Sequence, residues 1–139
     1  MSQGSKKRGA QDDEPYRAWA ELIQALFAQA TDGIFIADRM GKYQEVNQRG
    51  CDMLGYSREE MLTLSLQDLI PPEEMASNPL RLDELMAGKS LLRERYLRCQ
   101  DGRLLPVEIN ARMLADGNFL GIVRDISERK QAEEQLRES

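Results

Sequence analysis

Histidine is missing from all 139 residues. That absence excludes Ser-His-Asp and Cys-His nucleophile systems. It equally excludes His-ligated zinc and a haem held by a proximal histidine. The chain cannot itself accept a phosphoryl group on histidine. Cysteine is scarce: Cys51 and Cys99 are the only two. Their spacing makes neither a disulfide framework nor a zinc pattern, and both read as reduced and partly buried. The ten glycines are scattered and build no phosphate-cradling loop. No apolar run is long enough to cross a membrane, and Ser2 to Glu14 lacks the apolar stretch of a signal peptide. Positive charge is thin. The net charge is −5, and Lys6-Lys7-Arg8 is the one short basic cluster, which argues against nucleic-acid binding. Adjacent acids such as Glu59-Glu60 and Glu73-Glu74 read as solvated helix faces rather than catalytic pairs. No base–nucleophile constellation is visible, so the chain is not read as an enzyme. The expected location is cytoplasmic.

What is present suits one domain with a real core. Residues 1–14 read as a polar, disordered leader. Asp12-Asp13-Glu14-Pro15 marks a helix start, with acids at the positive end and Pro in the first turn. An amphipathic helix over 15–30 then carries Tyr16, Trp19, Ala20, Ile23, Leu26, Phe27 and Ala30 on one face. Ile34 to Ala37 and Lys42 to Val46 form a hairpin about Asp38-Arg39-Met40-Gly41. Asn47 caps a short helix that ends at Gly55. Ser57 and Glu60 form a capping box on the next. Pro71-Pro72 stop any helix reaching them. Leu80, Leu82, Leu85 and Met86 suggest a further helix ending near Gly88. Leu91 to Cys99 and Leu104 to Leu114 pair about an Asp101-Gly102 turn. Within the second, Val107, Ile109, Ala111 and Met113 alternate with polar residues. Asp116-Gly117 turns into a last strand of Phe119, Leu120, Ile122 and Val123. The order implies an α+β fold with an antiparallel sheet.

The last strand runs directly into a charged helix, with Asp125 as N-cap and Glu128 three residues on. That helix is expected over residues 127–139, and Glu128 to Ser139 spans about 18 Å if fully formed. Arg129–Glu133, Lys130–Glu134 and Glu133–Arg137 are favourable i,i+4 pairs. Ala132 and Leu136 supply one coiled-coil step, too little to fix a partner.

Several segments resemble PAS sensor domains. Asp125 to Lys130 resembles the family's closing "DITERK" motif, with Ser127 where threonine is more usual. Thr31 to Asp38 looks like its first strand. Asn47 with Met53-Leu54-Gly55-Tyr56-Ser57-Arg58-Glu59-Glu60-Met61 resembles its "N…LLGYSREEL" segment, and Gln100 to Arg103 its "KDG" hairpin. The resemblance covers about Thr31 to Lys130, with residues 31–126 as the core. It implies a sheet of about five strands with short helices over one face. It also implies a pocket between them, at Ile34, Ile36, Met53, Leu54, Met61, Leu69, Leu85, Met86, Tyr96, Val107, Ile109, Ala111 and Ile122. The same residues could equally fill an ordinary core. Asn110, Tyr96 and Arg95 are candidate polar contacts if they face inward.

Which ligand, if any, stays open. Light-sensing flavin relatives carry a reactive cysteine in a "GRNCRFLQ" helix. The corresponding Met61 to Leu69 has none, and their flavin-contacting glutamine falls at Val123, so a photoadduct-forming flavin is disfavoured. The resemblance implies the input module of a larger signalling protein, such as a two-component histidine kinase or a diguanylate cyclase. Its output would pass through Asp125, Ile126, Glu128 and Arg129 into an effector domain beyond Ser139. The alternative is a ligand-free dimerisation module. Under either reading a homodimer is expected through Trp19, Ile23, Leu26 and Phe27 of the leading helix, although that face could equally pack on its own domain.

Overall fold

The computed structural model describes residues 2–138, with side chains described from Glu14 onward. Helix α1 (Ser2–Gln29) leads into strands β1 (Gly33–Ala37) and β2 (Tyr43–Val46). Five short helices follow: α2 (Gln48–Leu54), α3 (Arg58–Met61), α4 (Leu66–Leu69), α5 (Pro72–Ser77) and α6 (Leu82–Met86). Strands β3 (Leu91–Arg98), β4 (Leu104–Met113) and β5 (Phe119–Asp125) complete the sheet, and α7 (Ser127–Glu138) leaves it. The strand order is β2-β1-β5-β4-β3, with every neighbouring pair antiparallel.

One device makes all three hairpins. Asp38, Asp101 and Asp116 each use a carboxylate oxygen to accept the N–H two residues on, at 2.9 Å. Each is followed by a glycine at positive φ: Gly41 at 88°, Gly102 at 90° and Gly117 at 90°. The short aspartate side chain supplies the turn's hydrogen bond, and glycine supplies the left-handed backbone.

The expected caps of α2 and α3 form. Asn47 Oδ1 accepts the Gly50 N–H, Gly55 closes α2 in the left-handed region, and Ser57 and Glu60 bond reciprocally at the start of α3. Pro71 and Pro72 do stop α4, but they also open α5, where a missing N–H costs nothing. α1 differs from expectation. It begins ahead of Asp12–Pro15 and takes Pro15 into its interior. Acids and proline favour a first turn at that point without forbidding turns before it. The side chains of the expected leader up to Asp13, and Ser139, lie outside the described residues.

The core lies between the sheet and the short helices. Val46, Leu54, Met61, Leu69 and Val107 are its most deeply buried apolar members. Two glycines let α2 press against β1: a Cβ on Gly50 would stand 2.8 Å from Val46 Cγ1, and one on Gly33 would stand 3.1 Å from the Gly50 Cα.

Candidate functional site

Between the helix-facing side of the sheet and helices α4 and α6 lies a cavity of about 110 Å³. One water needs only about 10–15 Å³ on this measure, so there is room for a small molecule. The inward phase of each strand builds its floor. Phe35 and Ala37 come from β1, Tyr43 from β2, Leu91, Arg93, Arg95 and Leu97 from β3, Ile109 and Ala111 from β4, and Phe119, Gly121 and Val123 from β5. Ile70, Leu80 and Leu85 close it from the helical side. Arg81, Leu82 and Arg93 are exposed, so the cavity opens between the start of α6 and β3.

Two polar groups on this wall are buried. Arg95 is 6% exposed, and its Nη1 donates to the Asn78 carbonyl at 3.0 Å. Burial disfavours its charge, and Glu74, 3.9 Å away, opposes that effect. Tyr43 is 5% exposed. Burial first, then the nearby Asp68 carboxylate, pushes its ionisation well above the ordinary phenol range.

The structure divides the expected pocket residues into three groups. Leu85, Ile109 and Ala111 line the cavity. Met53, Leu54, Met61, Leu69 and Val107 are buried in the apolar core rather than on the cavity wall. The rest require correction. Ile34 and Ile36 alternate with buried Phe35 and so face the opposite side of the sheet. Ile122 pairs directly with Ile34 on that side, and Asn110 pairs with Ile122. Asn110 is exposed there and meets Ser90. Tyr96 alternates with buried Arg95 and Leu97 and faces solvent. Met86, at the end of α6, is 62% exposed. Apolar character in both phases of β1 and β5 hides which phase points inward. Phe35, Ala37, Tyr43, Leu91, Arg93 and Phe119 were not expected on the wall.

The junction with α7 is built differently from the expected capping box. Asp125 is the last residue of β5 and pairs with Val107, so its backbone belongs to the sheet. Its carboxylate accepts the Ser127 N–H at 2.9 Å and the Ser127 hydroxyl at 2.6 Å. No bond from Glu128 back to Asp125 occurs among the described residues. Ile126 is buried and donates its N–H to the Pro106 carbonyl at 3.1 Å. Arg129 hydrogen-bonds Glu94 of β3, and Lys130 Nζ lies 3.1 Å from the same carboxylate. Sequence spacing could not reveal this tether, because Glu94 lies 35 residues before Arg129.

β3 is an edge strand, and α5 with the residue after it covers part of that edge. Glu74 accepts the Tyr96 N–H at 3.2 Å, and Asn78 Nδ2 donates to the Glu94 carbonyl at 2.9 Å. The cavity wall, the edge of β3 and the root of α7 are therefore continuous through Arg95, Asn78 and Glu94. Among the described residues there is no cluster of metal-ligating side chains, and no helix is long and apolar enough to cross a membrane.

The PAS family, described as the PAS fold, matches residues 21–126. A methyl sulfide methyltransferase-associated sensor of Methanosarcina acetivorans is 34% identical over 115 residues, which is 80% of this chain and 12% of that protein. The chain spans only 10–12% of the curated relatives it matches. Among solved structures, a domain of a sensory box sensor histidine kinase/response regulator from Geobacter sulfurreducens is 37% identical. It superposes with a TM-score of 0.71 over 81% of this chain and 98% of its own. The PAS domain of an HTR-like protein from Haloarcula marismortui is 27% identical, with a TM-score of 0.72 over 84% and 99%.

Proposed function

This chain belongs to the PAS family, and from that premise we propose that it is a ligand-sensing input module whose output leaves through α7. The observation that carries the proposal is the cavity joined to the α7 root by Arg95, Asn78 and Glu94. A ligand shifts a conformational equilibrium only by binding the two states differently. Arg95 offers that difference. A ligand drawing its guanidinium inward weakens its bond to Asn78, and Asn78 also holds the Glu94 carbonyl. The Glu94 side chain then presents the anion that Arg129 and Lys130 grip. The effector would be a separate signalling domain, such as a kinase or a cyclase.

Native mass spectrometry of the purified chain tests the sensory half. A discrete added mass that is lost on denaturation supports it. A bare mass that persists after incubation with a cell-extract metabolite pool argues for a filled relay module.

A second reading rests on α1. Tyr16, Trp19, Ile23 and Leu26 are all more than half exposed, an apolar stripe left largely uncovered among the described residues. Phe27 is partly buried at the end of the same helix. Pairing with a second copy would bury these side chains. Sedimentation of Trp19→Ala and Leu26→Ala tests this: a dimer that falls to monomer supports it, and a wild-type monomer removes it.

A further inference from the structure

Charge on the cavity wall has one sign. Arg81, Arg93 and Arg95 line it, and no aspartate or glutamate does. Arg81 and Arg93 make no side-chain hydrogen bond or ion pair among the described residues. Arg93 also acts on Arg95 as a neighbouring like charge. Arg95 is nine-tenths buried, and among the described residues its side chain makes one hydrogen bond, through Nη1. A guanidinium has five N–H donors, and because no fully buried side-chain nitrogen among the described residues is left unbonded, the remaining Arg95 donors keep access to solvent or to an incoming acceptor. Arg81 and Arg93, exposed at the mouth of an apolar cavity, have no anionic partner among the described residues, and Arg95 behind them has only Glu74, 3.9 Å away.

We propose that the cavity takes a small monocarboxylate with an apolar body. Arg93 and Arg81 hold the carboxylate at the mouth, while Leu85, Ile109 and Ala111 surround the hydrocarbon. Arg95 stands behind the mouth as the group that responds. The guanidinium fork matches a carboxylate's two oxygens, and a partly desolvated site strengthens each such bond. Glu74 holds Arg95 from outside the cavity, so an arriving carboxylate competes with it for the same cation. The proposal rests on the sensory reading of the cavity and adds the chemistry of its ligand.

The test uses the 139-residue chain with hexanoate and hexan-1-ol, which share a hydrocarbon tail and differ in charge. Binding is followed by amide NMR shifts of the cavity-wall residues and by calorimetry. Hexanoate is expected to move the Leu85, Ile109 and Ala111 resonances and to bind about tenfold tighter than the alcohol. Arg81→Gln with Arg93→Gln should reduce hexanoate to the alcohol's affinity without changing the circular dichroism, because both side chains are exposed. Equal binding of acid and alcohol, unaffected by the arginine changes, overturns the carboxylate assignment and leaves the sensory reading standing. Binding of neither probe, or shifts confined to exposed arginine side chains, overturns the assignment and counts against the sensory reading as well.

Discussion

Replacing Asn47 by alanine should cost about 3 kcal/mol, because that side chain uses all four of its hydrogen-bonding positions inside the core. Asn47 is 1% exposed. Its Oδ1 accepts the Ile34 N–H and the Gly50 N–H, each at 2.9 Å. Its Nδ2 donates to the Phe27 carbonyl at 2.9 Å and the Asp32 carbonyl at 3.1 Å. One amide thus joins the end of α1, the start of β1 and the first turn of α2. Losing the cap on α2 costs roughly 0.5–2 kcal/mol. Leaving the Ile34 N–H unpaired costs roughly 1–3 kcal/mol more. The two carbonyls add less, since each retains a second lone pair. Urea unfolding followed by circular dichroism measures the difference at constant m. Asn47→Asp separates donor from acceptor. It keeps both acceptor bonds, loses both donors and sets an anion against two carbonyls, so its carboxyl should titrate above the ordinary value of about 3.9. The charged form is therefore penalised: the full penalty holds above the folded-state value and fades as pH falls towards the unfolded one. The alanine penalty should stay level across the same range. A loss below about 1 kcal/mol for alanine, or an aspartate penalty that grows towards acid, would refute the reasoning.

Other perturbations test separate parts of the fold. Glu94→Gln should leave the melting temperature almost unchanged, because the ion pairs are exposed, yet lower the helicity of the first turn of α7 in NMR secondary shifts. The same tether should respond to acid. The Arg129 hydrogen bond first, then that of Lys130, holds Glu94 below its ordinary value of 4.5. A depressed folded value means that the contribution is present above 4.5 and is lost as pH falls through the lower one; a first turn of α7 equally ordered at pH 2 and pH 7 contradicts this. Gly50→Ala should destabilise by roughly 1–3 kcal/mol in urea unfolding, because its Cβ would meet Val46 and Phe35 inside 3 Å. An exposed helical glycine would show the opposite sign, so a stabilised variant would mean that α2 does not press on β1 as described.

Turns and caps were legible in the sequence because their chemistry is local. Asp-x-x-Gly and Asp-Gly turns, the Asn47 cap and the Ser57–Glu60 box each depend on residues within four positions. The cavity was only partly legible. β4 alternates cleanly, and Val107, Ile109 and Ala111 do face the helices. β1 is apolar in both phases, so Ile34 and Ile36 looked as suitable as Phe35 and Ala37. In β3 the inward phase contains Arg93 and Arg95, which binary patterning assigns to solvent. Leu97 and Cys99, both buried on that phase, were the signal that could have corrected it. Nothing in spacing could place Glu94 beside Arg129, or Glu74 on the edge of β3, because both contacts arise from tertiary packing. The Asp125–Ser127 bond replaced the expected capping box because β5 holds Asp125 in the sheet.

Amide hydrogen exchange of the wild-type chain against Ala111→Leu tests the central claim, that the state of the cavity reaches the outgoing helix. The added carbons fill space on the cavity floor, far in sequence from α5 and on a different strand from Glu94. The account predicts altered protection at Tyr96 on the β3 edge, at Asn78, and at Arg129 and Lys130 at the root of α7. Changes confined to the cavity floor, with the first turn of α7 exchanging as in wild type, would contradict it.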